Sequence, residues 1–329
     1  MSTQYSERAI PQISLRDFDE RVDVITTQLV DAAENVGFFS VVDHGIPVDD
    51  IDSMFNTAEA FFRLPDEVKA TVPWNAQNVG WEKNSQVRPS TGVADTKESY
   101  QIQFGENMNG LWISDAHVPH FRDEALQFMR RVQAISEKLM VCFARGLGFP
   151  NDFFVKAHDV ARQNSQTVLR LLHYFDMPSE NPIGEVRHRA GPHADWGFLT
   201  LLFQRTGQSG LEICPGREVS TDFGYGDVWT KVTPQTGEIV CNIGDLLMSW
   251  SDDRFKSTFH RVKAPCEPGD FYGDRYSIAF FNQPCKDTEI QGPKKKYPMV
   301  TGHQFTAAAM KRNFAALEAK RAAMAAAVK

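Results

Sequence analysis

His193, Asp195 and His260 are residues whose types and spacing could do redox chemistry. His193 and Asp195 flank a single alanine, so in extended backbone both side chains leave the same face and can offer donor atoms together. His260 lies far along the chain, in Ser257-Thr258-Phe259-His260-Arg261-Val262, where strand pairing in a barrel can return it to the same place. Two imidazoles and one carboxylate suit a divalent iron that keeps coordination positions open, whereas a closed structural zinc site needs a further protein ligand. Beyond His260, Arg275-Tyr276-Ser277 opens an apolar run. A planar guanidinium can hold a carboxylate through two parallel hydrogen bonds, and Ser277, on the same strand face, can donate a third.

The elements that must position these side chains follow from periodicity. Ile10 to Leu15 alternates and predicts a short strand. From Asp19 to Val36 apolar residues recur at three- and four-residue steps, which predicts an amphipathic helix ended by Gly37. Phe38 to Val42 is a β-rich run; Val48 to Leu64 and Phe121 to Leu147 are further helices, the last stopped by Gly146-Leu147-Gly148. Residues 74 to 118 predict loops and short strands, including Ser99 to Phe104, of a kind that lines a pocket or forms an irregular surface.

From Thr167 the period becomes strand-like: 167–175, 197–204, 210–214, 229–232, 238–243 and 276–281. Such spacing, with Gly and Pro between runs, predicts an antiparallel sandwich or barrel. Helices first and strands later make the class α+β. The Ala-rich tail predicts a helix over 303–329. With no repeat or linker, the expectation is one integrated domain over 1–329: an N-terminal mixed part to about residue 120, a core from about 165 to 285, and the C-terminal helix.

Composition limits the function classes. A net charge of -7 gives no electrostatic case for nucleic acid or an anionic membrane surface, and the short run Lys294-Lys295-Lys296 reads as a solvated loop. The five cysteines lack C-x-x-C spacing, and no apolar run reaches the roughly 18 residues of a membrane span. The expectation is a reduced, cytoplasmic protein acting on a small molecule.

Taken together, the H-x-D pair, Gly244-Asp245-Leu246-Leu247, the second histidine and the Arg275-x-Ser277 motif resemble the isopenicillin-N-synthase-like Fe(II)- and 2-oxoglutarate-dependent dioxygenases. The resemblance runs from Ile10-Pro11, Gly37-Phe38-Phe39 and Asp43-His44-Gly45-Ile46 to Ser277. It implies a distorted double-stranded β-helix, or jelly roll, with helices packed around it. It also implies iron on His193, Asp195 and His260, and 2-oxoglutarate on Arg275 and Ser277, with the Tyr174 hydroxyl added. The implied activity couples oxidative decarboxylation of 2-oxoglutarate by O2, giving succinate and CO2, to hydrogen abstraction from a small cyclic substrate. Hydroxylation or a radical rearrangement such as ring expansion follows.

By alternation Arg170 shares the face of Tyr174, and an inward guanidinium needs an anion or acceptor, so Arg170 is expected to bind the primary substrate. An internal ion pair is the competing reading of Arg170. The runs around Asn164 to Tyr174, His193 to Gly197 and Ser251 to Thr258 are similar to the thymine-hydroxylase-like branch and to ring-expansion oxygenases of microbial secondary metabolism. That likeness implies a compact, planar, oxygenated ring stacked on Trp196, Phe203 or Phe281. His44 is expected to make a structural hydrogen bond, and His173, on the face opposite Tyr174, to be a core or supporting residue. An oxidase of the same fold that uses no 2-oxoglutarate and a catalytically silent small-molecule binder are the alternatives.

Overall fold

Helices form where apolar residues can face one stripe, and strands where they can face one side. The computed structural model describes residues 4–86, 94–177, 188–218 and 228–312. The N-terminal half runs β1 (Gln4–Tyr5), β2 (Gln12–Ser14), α1 (Phe18–Asn35), β3 (Phe38–Val42), α2 (Val48–Phe62), α3 (Asp66–Lys69), β4 (Gly80–Lys83) and β5 (Lys97–Gln103). After the long α4 (Phe121–Leu147) and the short α5 (Phe153–Ala157) come β6 (Val168–Tyr174), β7 (His188–His193), β8 (Leu199–Gln204), β9 (Leu211–Glu218), β10 (Val228–Lys231) and β11 (Ile239–Ile243). Then α6 (Asp245–Trp250), β12 (Thr258–Lys263), β13 (Arg275–Asn282) and the small pair β14 (Glu289–Ile290) and β15 (Val300–Thr301) follow. A last helix, α7, runs over 302–312, and the rest of the expected tail helix lies outside the described residues.

Two sheets face each other. The larger has the order β2-β3-β11-β8-β13-β6-β5-β4, and the smaller β1-β10-β9-β12-β7. This arrangement forms a double-stranded β-helix. Ile25 and Leu29 of α1, Phe55 and Phe61 of α2, and Phe128 and Leu139 of α4 bury against the outward side chains of the large sheet, among them Leu171, Leu201 and Ile278. Each such side chain contributes about 1.5–3 kcal/mol when removed from water. The inward side chains Leu172, Tyr174, Ala190, Val262 and Ala279 form a separate cluster between the sheets.

β7 and β12 were not among the expected strands, although they carry two of the three candidate ligands. Gly191 and Pro192 interrupt the first, and the second alternates weakly because it is rich in polar residues. Each is held by a neighbour instead: β12 pairs with β7 on one side and β9 on the other. The lysine run at 294–296 is clipped down, since the Lys294 and Lys296 backbone N–H groups donate to the Asp252 carboxylate at 2.6 and 2.8 Å.

Candidate active site

β7 ends at His193, and β12 places His260 directly opposite it in register. The two imidazoles lie 4.3 Å apart by ring centroid. Asp195 follows in the turn after β7, and its Oδ1 is 3.8 Å from Nε2 of both histidines. One donor atom from each residue falls within 4.8 Å of the others.

The surroundings fix how each donor atom is offered. His193 Nδ1–H donates to the Gly191 carbonyl at 2.7 Å and His260 Nδ1–H to the Thr258 carbonyl at 3.3 Å, because a carbonyl only accepts. That tautomer directs the Nε2 lone pairs toward the third ligand. Asp195 Oδ2 accepts from Thr200 Oγ1 at 2.6 Å and Asn242 Nδ2 at 2.9 Å, which turns Oδ1 to the imidazoles. Two neutral imidazoles and an oriented carboxylate are the donor set of an open iron(II) site, so the residues fit the metal.

The turn bearing Asp195 is clamped from below by the Gly244-Asp245 motif. Asp245 N–H donates to the Asp195 carbonyl at 2.7 Å and Leu246 N–H to the Gly197 carbonyl at 3.1 Å. Gly244 is required there: a Cβ would lie 2.0 Å from the Gly197 oxygen. Burial pushes the Asp245 carboxyl up to about 6, against a 2.7 Å hydrogen bond from Ser257.

The anion subsite lies on the inner face of the large sheet. Arg275 is opposite Tyr174 and Ser277 is opposite Gln204 in register. Arg275 is 1 % exposed, its guanidinium 5.0 Å over the Tyr174 ring and hydrogen-bonded to that side chain, and burial lowers its pKa. It donates from Nε to the Gln208 carbonyl at 3.1 Å and from Nη2 to Gln204 Oε1 at 2.9 Å. Arg275 Nη1, Ser277 Oγ and Gln204 Nε2 are buried with no protein partner. Three buried groups able to donate, from residues on one face, are what a desolvated carboxylate needs, and they fit the distal carboxylate of 2-oxoglutarate.

Of the expected substrate residues, Arg170 and Phe281 share this inner face, with the guanidinium 5.0 Å over the Phe281 ring. Val168 stands opposite Phe281, and Phe281 opposite Thr200, the residue that orients Asp195. Glu82 acts electrostatically on Arg170 and is itself held below the usual carboxylate range, burial opposing and Lys97 and Arg170 prevailing. Trp196, the residue after Asp195, lines a cavity that none of the three candidate ligands lines.

Phe203 corrects the expectation. Alternation along β8 turns Thr200, Leu202 and Gln204 inward and Leu199, Leu201 and Phe203 outward, where Phe203 packs edge-on against Phe128 of α4 at 5.1 Å. Thr200, Gln204 and Asn242 carry a weaker signal in the sequence, isolated polar residues at inward positions of otherwise apolar strands. His44 makes local bonds, Nε2–H to the Gly237 carbonyl at 2.9 Å, with Nδ1 accepting from Ile46 N–H at 3.1 Å. His173 sits on the outer face between Glu98 and Asp274, 2.8 Å from each.

Comparison with known proteins places this geometry. Residues 10–118 match the family model described as the non-haem dioxygenase in morphine synthesis N-terminal region, and residues 165–284 match the 2OG-Fe(II) oxygenase superfamily. The chain is 35% identical to the UPF0676 protein C1494.01 of Schizosaccharomyces pombe, over 85% of this chain and 84% of that protein. It is 31% identical to the proline hydroxylase buaE of Petromyces alliaceus, over 84% and 86% of the two chains. A Neurospora crassa protein crystallised with alpha-KG and thymine superposes with a TM-score of 0.76 at 28% identity, over 95% of this chain and 97% of that one. The chain therefore belongs to the 2OG-Fe(II) oxygenase superfamily and is an iron(II)- and 2-oxoglutarate-dependent dioxygenase.

Proposed function

We propose that the enzyme hydroxylates a small, planar, oxygenated ring held against Phe281, with Arg170 and Trp196 beside it. The observation that carries this reading is Arg170 stacked over Phe281 on the inner face, one strand from the residue that orients Asp195. His193, Asp195 and His260 would hold the iron, and Arg275, Ser277, Gln204 and Tyr174 the distal carboxylate of 2-oxoglutarate. Bound iron and 2-oxoglutarate supply the oxidising power: R–H, O2 and 2-oxoglutarate become R–OH, succinate and CO2.

The chain's own part is positional. Arg275 with its three neighbours fixes one end of the co-substrate, and Thr200 and Asn242 hold the carboxylate of Asp195 toward the metal. Leu172, Ala190, Val262 and Ala279 keep the space between the sheets apolar, which strengthens each electrostatic contact there. Ring expansion is the other outcome of the same hydrogen abstraction, and the likeness to ring-expansion oxygenases supports a place in secondary metabolism. Cytoplasmic action is supported by the five cysteines, all free thiols, and no helix among the described residues is long and apolar enough to cross a membrane.

The test is a screen of planar cyclic compounds for substrate-dependent succinate formation, with mass analysis of the product under labelled O2. A product one oxygen heavier with its ring intact supports hydroxylation. An enlarged ring assigns rearrangement. Succinate release that Phe281→Ala and Arg170→Met leave unchanged, at the same substrate KM, contradicts the placement.

A further inference from the structure

The strand ends that present Tyr174 and Arg275 are tied together on the side of the large sheet away from the cavity. β6 and β13 are antiparallel neighbours, with Tyr174 opposite Arg275 and His173 opposite Tyr276. By alternation the first pair faces inward and the second outward. There the His173 and Tyr276 rings stack at 4.7 Å and 8°, against Phe62 of α2.

His173 Nδ1–H donates to Glu98 Oε1 and Nε2–H to Asp274 Oδ1, both at 2.8 Å. A carboxylate only accepts, so both ring nitrogens donate and the ring cannot turn without losing a partner. Asp274, the residue before Arg275, accepts with the same oxygen from Asp176 N–H at 3.1 Å, two residues past Tyr174. One carboxylate oxygen thus joins the start of β13 to the end of β6. Arg189 of β7 ties the backbone of the same two ends, its Nη2 donating to the Phe175 and Gly273 carbonyls at 3.1 and 2.6 Å. The contact of His173 with Asp274 adds a tie between the side chains next in sequence to Tyr174 and Arg275.

Behind His173 the charges continue into the helical layer. Glu98 of β5 is 2 % exposed and also accepts from Trp81 Nε1 and Lys69 Nζ, each at 2.7 Å, and Lys69 of α3 reaches the Phe62 carbonyl at 3.1 Å. Burial opposes the charge on Glu98, and the bonds from His173, Lys69 and Trp81 prevail, holding its carboxyl below the usual range. Such a network returns little net stability, because the cost of taking charges out of water offsets much of their attraction. Its effect is geometric: Glu98 sets the ring, the ring sets Asp274, and Asp274 sets the start of β13.

We infer that His173 is a positioning residue for the co-substrate, holding Asp274 and through it the Arg275 guanidinium and the Tyr174 hydroxyl at the spacing that receives the distal carboxylate of 2-oxoglutarate. The inference rests on the reading that Arg275 and Tyr174 hold that carboxylate.

The experiment compares two keto acids and needs no turnover. The full chain, loaded with Mn(II), is titrated calorimetrically with 2-oxoglutarate and with 2-oxobutyrate, which has the same chelating end and no distal carboxylate. His173→Phe keeps a ring against Tyr276 and removes both donors. Asp274→Ala removes the acceptor at a half-exposed position, so the comparison stands even if the buried substitution fails to fold. Each variant weakens 2-oxoglutarate about 3- to 30-fold, the range for coupling through residues that do not touch the ligand, while 2-oxobutyrate and Mn(II) bind as in the parent. The double variant is no weaker than the weaker single one, since both changes remove one tie. Parent-like 2-oxoglutarate binding by either variant, additive losses, or an equal loss for 2-oxobutyrate overturns the inference. Arg275→Ala separates the two claims. If it selectively weakens 2-oxoglutarate while His173→Phe does not, the positioning role fails alone; if it binds both keto acids like the parent, the carboxylate subsite is misplaced and the inference falls with it.

Discussion

At the scale of single residues, the site depends on polar side chains that hold its donor atoms in place. Thr200 and Asn242 both donate to Asp195 Oδ2, so Thr200→Val or Asn242→Leu releases the carboxylate to rotate. Metal affinity should fall about 10- to 100-fold in either variant, read by anaerobic titration with Fe(II) or Mn(II), with little change in Tm. Parent-like affinity in both would show that Asp195 is oriented by something else. Gln204→Leu removes one donor of the anion subsite and the acceptor of Arg275 Nη2. It should weaken 2-oxoglutarate about 5- to 30-fold, and an unchanged Kd would remove Gln204 from the subsite. His193, Asp195, His260, Arg275 and Ser277 were legible in the sequence because few other uses explain those types at those spacings together. Thr200, Gln204 and Asn242 were not, since a threonine or an amide has many ordinary uses and only the folded register gives them one.

At the scale of elements, strand alternation decides which side chains reach the cavity. The long helices were legible to within a residue or two because eighteen residues of α1 and twenty-seven of α4 repeat one apolar stripe. β7 was not, because six residues containing Gly191 and Pro192 have no propensity to read; its partners make it a strand. Phe203 shows the cost of reading an aromatic by type alone, since its place in the alternation turns it into the helical layer. Phe203→Ala should therefore cost about 3–5 kcal/mol in denaturant unfolding, without a selective rise in substrate KM. A raised KM at unchanged stability would return Phe203 to the site.

The layer between α5 and α6 carries a pH dependence. His158 is fully buried between Phe198 and Trp250, its Nδ1–H donating to the Phe154 carbonyl at 2.7 Å, and burial pushes its pKa down from 6.5 to about 4. The unfolded chain takes up this proton before the folded one does. The contribution is thus complete above pH 6.5 and lost as pH falls toward 4. Unfolding free energy should decline through that window more gently in His158→Phe than in the parent. Parallel curves would contradict the assignment.

At the scale of the whole molecule, the N-terminal half is not an appendage. β2, β3, β4 and β5 are strands of the same sheet as β6, β8, β11 and β13, and α1 and α2 cover that sheet's outer face together with α4. We propose one cooperative unit, in which near-ultraviolet and far-ultraviolet dichroism lose their signals at one denaturant midpoint. Two separated midpoints would divide the chain. Since 2-oxoglutarate binds only the folded protein, a hundredfold excess over its Kd should raise unfolding free energy by about 2.7 kcal/mol.

The central claim, that His193, Asp195 and His260 hold iron and Arg275 holds the keto acid beside it, is tested most directly without oxygen. Metal-free protein is reconstituted with Fe(II), 2-oxoglutarate is added, and the visible charge-transfer absorption of the chelate is followed in the parent, His193→Ala and Arg275→Ala. The account predicts a band in the parent, its loss in His193→Ala, and a band in Arg275→Ala that requires far more keto acid to develop. An iron-loaded parent without the band, or an Arg275→Ala titration that overlays the parent, would contradict it.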